Sequence, residues 1–301
     1  MTTPILASSR LVSRSGLDLL LLGLIWGASF LTIRLALDEV SVLSSVCHRV
    51  GWAALILWAV ILIQRRSLPK GWTVWAACLG MGVLNNVLPF TLMAWGQLHI
   101  ETGLTSILNA ATAIWGAFAA ALCFADERLT LRRLAGILLG FVGVVTIVGP
   151  SALGGLDLRS AAQLAVIAGT LSYAAASVWA RTFLSSIDPL VAAAGMLTGS
   201  SLVMIPLTLA LEGNIDLPST ATGAASIAYY AIVSTAFAYI LYYRLVRSMG
   251  AGGTMLVTLI IPPVAITLGA LVLDERLGAQ AFAGLGLLAV GLVIVSSART
   301  R

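Results

Sequence analysis

Polar residues along this chain come in short bursts, and the stretches between them are apolar for about the length of a membrane-crossing helix, roughly 20 residues. Ten such stretches occur, at 16–35, 42–63, 72–97, 104–124, 132–150, 161–183, 189–211, 221–246, 252–273 and 279–297. Most connections between them are short; the longest polar ones surround Gly154–Gly155 and run from Glu212 to Pro218. A chain of this pattern must satisfy its backbone polar groups within each segment, which predicts an all-α polytopic membrane protein of ten transmembrane helices. Arg10 and Arg14 precede the first run and no small-residue cleavage site follows it, so that run is expected to be a retained helix and not a signal peptide.

Composition points the same way. Hydrophobic residues make up 59% of the 301 and charged residues only 10%, with a mean hydropathy of +1.02, whereas a soluble domain carries about a quarter of its residues as charges. The sequence pI near 9.5 does not imply nucleic acid, because the basic residues form no continuous surface. They are topology determinants instead. With the N-terminus in the cytoplasm, Arg10, Arg14, Arg65, Arg66, Lys70, Arg128, Arg132, Arg133, Arg181, Arg244, Arg247, Arg299 and Arg301 fall inside. Only Arg34, Arg159 and Arg276 fall outside, and Arg49 lies within a span. That bias predicts an even number of spans with both termini cytoplasmic. Cys47, Cys78 and Cys123 are isolated inside apolar stretches, which predicts neither a disulfide framework nor a metal site.

An internal repeat refines the architecture. Asp126-Glu127-Arg128-Leu129 recurs as Asp274-Glu275-Arg276-Leu277, and at the same offset Ala135, Gly136, Leu139, Val142, Gly143 and Val145 match Ala283, Gly284, Leu287, Val290, Gly291 and Val293. One residue off that register, Trp26 meets Tyr173 and Arg34 meets Arg181. The chain therefore divides into two five-helix repeats, 1–150 and 151–301. Five is odd, so the second half is expected to enter the membrane upside down, the usual basis of alternating access.

Tryptophan in the first span, within Leu24-Ile25-Trp26-Gly27-Ala28-Ser29-Phe30, and the Asp-Glu-Arg-Leu motif ending the fourth and ninth spans resemble the EamA-type repeats of the drug/metabolite transporter superfamily. The likeness covers nearly the whole chain, and within the superfamily it is most similar to YddG-type aromatic amino-acid exporters. It implies a basket-like bundle around a central cavity lined by the first, third, fourth, sixth, eighth and ninth spans. The fifth and tenth would lie at the periphery, where Gly136, Gly140, Gly143, Gly284 and Gly291 suit close helix contact. The expected state is a monomer, or a weak homodimer through those two helices.

Candidate chemistry lies where polarity interrupts the apolar runs. His48 and Arg49 sit well inside the second span, a costly placement for ionisable groups. Either Arg49 snorkels outward and His48 fills a polar notch, or Arg49 attracts a substrate carboxylate and His48 senses protons. Asn85 and Asn86 precede Pro89, which removes a backbone donor and frees a carbonyl; they serve as interhelical glue or as hydrogen-bond partners of a zwitterion. Trp26, Trp115, Tyr173, Trp179 and Tyr239 lie away from the membrane interfaces, where a flat ring can pack or stack on a ligand. Arg34 falls on the same side as Asp274 and Glu275, and Arg181 on the same side as Asp126 and Glu127. Each arginine is expected either to pair with its acidic cluster when that side closes, or to leave the acids as plain helix caps.

No aspartate or glutamate occupies mid-membrane, which favours facilitated transport over a carboxylate-based proton exchanger. No nucleophile–base pair, phosphate loop or metal-ligand spacing suggests an enzyme, and no cofactor is expected. The expected function is an inner-membrane carrier exporting small amphipathic metabolites, most naturally aromatic and other neutral amino acids. Multidrug or planar-cation efflux, and a gated solute channel, are the alternatives. The expected partners are the small-molecule substrate and the lipid bilayer, with no nucleic acid.

Overall fold

The computed structural model describes residues 5–127, 130–148, 158–254 and 257–297. Ten helices run through them: α1 (Ile5–Ala36), α2 (Val42–Ile63), α3 (Trp72–Gly96), α4 (Thr102–Cys123), α5 (Leu131–Val148), α6 (Leu158–Phe183), α7 (Pro189–Glu212), α8 (Ala221–Ser248), α9 (Val257–Val272) and α10 (Ala279–Ser297). Eight are long and apolar enough to cross a bilayer, while α9 and α10 are shorter apolar helices. The expected spans match within a few residues, with one shift. Helical structure after α8 continues to Thr254, because the glycines of Gly250 to Gly253 lower helix propensity without breaking a helix as proline does. The turn residues Gly154–Gly155, and Arg128 and Leu129 of the first repeated motif, lie outside the described residues.

Helix ends are set by local chemistry. Ser41 caps α2, its hydroxyl accepting from the Ser44 N–H at 3.1 Å, and Asp188 caps α7 ahead of Pro189, accepting from Leu190 N–H at 2.9 Å. Gly213 stops α7 with φ +82°, a conformation glycine adopts without strain.

The packing pattern repeats between halves. α1 packs on α9 and α6 on α4; α3 packs on α6 and α8 on α1; α3 meets α7 and α8 meets α2; α2 pairs with α7, and α4 with α9. Exchanging helix n with its repeat mate maps this set of contacts onto itself. α5 and α10 pair with one another beside α4, at the periphery, and their glycines settle the relative direction of the halves. Gly136 lies against Gly291 and Gly143 against Gly284: a Cβ on Gly136 would stand 2.8 Å from the Gly291 carbonyl oxygen, and one on Gly143 2.9 Å from that of Gly284. This pairing is antiparallel, and α5 and α10 are repeat mates, so the two five-helix repeats are inverted. The same contact consumes the glycine faces within one chain, so they are not free to join two copies; any dimer through α5 and α10 would have to use their other faces.

Two helices change hydrogen-bond register at matching places. In α3 the stretch Val83–Val87, and in its mate α8 the stretch Tyr229–Phe237, are π-helical, a wide turn that recurs at functional sites. In α3 the cause is visible in the chain. The Leu88 N–H reaches back five residues to the Val83 carbonyl, so the Leu84 carbonyl would next look to residue 89, which is proline and has no N–H. The Ser172 hydroxyl of α6 fills that vacancy, donating to Leu84 O at 2.7 Å.

Candidate functional site

The π segment of α8 packs on α2, and that of α3 on α6. Arg49 enters from α2, and its guanidinium lies over the Phe90 ring of α3, 3.8 Å from the centroid. Its Nε donates to Thr235 Oγ1 in the π segment of α8 at 3.0 Å. Thr235 has a lone pair for that bond because its own hydroxyl donates to the Tyr230 carbonyl five residues back, at 2.7 Å. Tyr173 of α6 and Tyr239 and Tyr230 of α8 stand within electrostatic reach of the guanidinium.

Neither Nη nitrogen of Arg49 has a hydrogen-bond or ion-pair partner among the described residues. Arg49, Tyr173, Tyr239 and Asn85 keep accessible surface although helices surround them, so they border open space inside the bundle. No acid answers the cation: α3, α4 and α9 contain no charged residue, α7 and α8 carry charge only at their ends, and α6 carries only Arg159 and Arg181 near its termini. On α1, Asp18 is engaged near one end by Arg244 at 2.6 Å.

Asn85 and Asn86 form a polar seam beside this space. Asn85 Nδ2 donates to the Tyr239 hydroxyl at 3.1 Å and to Asn86 Oδ1 at 3.2 Å. Asn86 is fully buried and donates to Ser200 Oγ at 2.8 Å. It is thereby glue between α3 and α7, while Asn85 faces the cavity. Trp26 joins the same wall one helix further on. Its indole N–H donates to the Ser234 carbonyl at 3.0 Å, and its ring packs on Tyr242, which abuts Tyr243, which stacks on Tyr239.

Other expected site residues lie elsewhere. His48 points away from Arg49; its Nε2 sits 2.7 Å from the Asp216 carbonyl in the α7–α8 turn. Trp115 and Trp179 line a groove of about 500 Å³ between α4 and α6 on the outer surface of the bundle. Trp179 also wedges over Gly80 and donates to the Ala77 carbonyl at 2.9 Å.

The two arginine–acid clusters are in different states. Arg181 pairs with Asp126 and lies 3.5 Å from Glu127 Oε1, with its guanidinium over the Phe124 ring. Its repeat mate Arg34 instead pairs with Asp38, four residues along its own helix. Glu275 is turned to the start of α4, accepting from the Thr102 N–H at 2.8 Å, the Thr102 hydroxyl at 2.7 Å and the Gly103 N–H at 3.2 Å. Asp274 is exposed, with φ +53°.

Sequence reasoning missed Phe90, Thr235, Tyr242 and Tyr243, and it left the second span out of the cavity wall that Arg49 joins. The spacing of Tyr239, Tyr242 and Tyr243 at i, i+3 and i+4 was a usable sign of one aromatic face. It also missed Arg133, which is buried and donates to Glu127 Oε2 at 2.8 Å.

Comparison with known proteins adds identity to this geometry. The model of the EamA-like transporter family matches residues 16–149 and again 160–297. An uncharacterized transporter of Archaeoglobus fulgidus is 25% identical over 280 residues, covering 90% of this chain and 94% of that protein. A protein of Escherichia coli K12 described as a probable amino-acid metabolite efflux pump is 26% identical over 292 residues, covering 93% and 94%. A crystal structure superimposes with a TM-score of 0.65 over 94% of this chain and 96% of the other, at 17% identity, which establishes a common fold.

Proposed function

The chain belongs to the EamA-like transporter family, a multi-pass membrane transporter and not an enzyme, and on that premise we propose that it exports small amphipathic metabolites bearing a carboxylate, amino acids and their derivatives among them. The observation that carries this is Arg49. A guanidinium in the membrane interior with free Nη donors and no acidic partner is a standing demand for an anion, and its planar fork fits a carboxylate. Phe90 behind it and the tyrosines beside it suit an apolar side chain. The Escherichia coli relative named for amino-acid metabolite efflux supports the same class. Efflux of planar cations fits less well, since such a substrate would meet Arg49 with like charge.

The two repeats, 1–150 and 151–301, are the moving bodies of this proposal. Arg181 holding Asp126 and Glu127, while the matching pair at Arg34 is unmade, supports a reading in which this conformation is closed at the Arg181 end and open at the Arg34 end. With both termini in the cytoplasm and the chain in the inner membrane, closure lies on the cytoplasmic side. The absence of a mid-membrane acid from the sequence fits facilitated exchange better than a carboxylate-based proton pump.

The test is counterflow of labelled amino acids into proteoliposomes, with and without a pH gradient, for the wild type and Arg49→Gln. Saturable counterflow that Arg49→Gln lowers by about tenfold or more, the scale of one charge-assisted hydrogen bond, is expected. Undiminished counterflow in Arg49→Gln overturns the assignment of Arg49.

A further inference from the structure

We infer that the Arg49 site selects for net charge, and that its preferred ligands are monoanionic carboxylates, such as amino acids whose amine is capped by an acyl group, over free zwitterions. This rests on the carboxylate reading of Arg49 and deepens it.

The charge inventory around Arg49 is one-sided. Its neighbours are Thr235, the Phe90 ring, and the phenols Tyr173, Tyr230 and Tyr239, all neutral. The elements packed around the cavity supply no compensating acid at that depth. α3, α4 and α9 have no charged residue at all. Asp18 on α1 is engaged by Arg244, and Glu212 at the end of α7 accepts from Ser41 and Ser44 at the head of α2. His48 is turned to the Asp216 carbonyl. The protein groups of the site therefore carry one uncompensated positive charge in a poorly screened interior, where charge is expensive.

A monoanion cancels that charge. A zwitterion does not: its α-ammonium is two bonds from the carboxylate carbon, inside the field of the same guanidinium, and it brings a second cation that itself needs an acceptor. Two of the nearby acceptors are committed, and the others, Asn85 Oδ1 and the Tyr173 hydroxyl, are neutral and cannot cancel the charge of an ammonium. Asn86 Oδ1 already receives Asn85 and Tyr239, and the Phe90 face already carries Arg49. Capping the amine removes the repulsion and leaves the carboxylate contact intact.

The experiment is a binding series on purified full-length protein in detergent, read by ligand-induced shift of thermal stability and by intrinsic tryptophan fluorescence. The ligands share one phenyl side chain and differ in charge: N-acetylphenylalanine and 3-phenylpropionate (anions), phenylalanine (zwitterion) and phenylalanine amide (cation). The expected order is the two anions first, the zwitterion about tenfold or more weaker as like-charge repulsion at low dielectric requires, and the cation without effect. Arg49→Lys is expected to keep the order at lower affinity and Arg49→Gln to abolish it. Phenylalanine binding as tightly as N-acetylphenylalanine, with both lost in Arg49→Gln, overturns the charge selection while leaving the carboxylate contact standing. Binding of the amide as tight as that of the acids, or binding of none of the four at millimolar concentration, overturns both.

Discussion

The repeated acidic motif offers a prediction in which two adjacent residues part company. Asp126 and Glu127 both engage Arg181, but Glu127 also meets Arg133, and the environments differ. The Glu127 and Arg133 side chains are 9% and 7% exposed, whereas those of Asp126 and Arg181 are 65% and 41% exposed. Arg133 has three acceptors: Glu127 Oε2 at 2.8 Å, the Glu127 carbonyl at 3.1 Å and the Ala117 carbonyl at 3.2 Å. Glu127→Ala keeps the two carbonyls and removes the only anion among these three, leaving a buried cation uncompensated, at a cost of about 3–5 kcal/mol. Asp126→Ala breaks a solvent-screened pair worth about 0–1 kcal/mol. The gap between the two variants is thus at least about 2 kcal/mol in one direction. It is read as apparent melting temperature at a fixed heating rate in detergent, by the fraction of protein that stays monodisperse after heating. Glu127→Ala should melt well below Asp126→Ala, and adding Arg133→Met to Glu127→Ala should recover much of the loss, because an apolar chain of similar length removes the stranded charge. If Glu127→Ala melts no lower than Asp126→Ala, or if Arg133→Met gives no recovery, the buried pair is not a source of stability.

Two further outcomes follow from the fold. In the α1–α2 turn, Glu39 accepts the Thr220 hydroxyl and the Thr220 and Ser219 N–H groups, both N–H bonds at 2.9 Å. These bonds, the Thr220 hydroxyl foremost, hold its pKa below the ordinary value of 4.5. A lowered folded pKa gives stability that is fully present above the unfolded value and lost as pH falls through the folded one. Amide-exchange protection of Ser219 and Thr220 should therefore persist from neutral pH down to the ordinary carboxylate range and fail only below it, whereas Glu39→Gln should lower protection already at neutral pH; equal protection in Glu39→Gln would count against the contact. At the α5–α10 seam, Gly143→Val places a Cβ 2.9 Å from both the Gly284 carbonyl and the Leu288 nitrogen, backbone atoms that yield only by separating the helices. A loss of about 1–3 kcal/mol is expected, and an unchanged melting temperature would refute the close approach.

Much of this molecule was legible in the chain because bilayer thickness imposes a length on every apolar run and basic residues mark the gaps between runs. The inversion followed from five spans per repeat, and the matched glycines of α5 and α10 turned out to be the contact that displays it. The repeat placed Arg181 on the same side as Asp126 and Glu127 but left open whether they pair or the acids only cap helices; the contact itself is seen in the structure. The π segment of α3 had a sign in Pro89; that of α8, with no proline in Tyr229–Phe237, had none, because a shift of hydrogen-bond register leaves no composition behind.

By itself, then, the sequence determined which segments cross the membrane, that they form two opposed halves, and that a lone arginine sits inside the second helix with no acid at its depth. Only the tertiary structure decided what that arginine meets. Adjacent residues on a helix point about 100° apart, so the rotation of α2 against α3 and α8 sent Arg49 inward to Phe90 and Thr235 and sent His48 out to the Asp216 carbonyl. It also decided that Arg181 is paired across the bundle while Arg34 turns to Asp38 on its own helix, because an ion pair needs its partners brought within about 4 Å and the packing of distant helices, not the repeat itself, sets that distance.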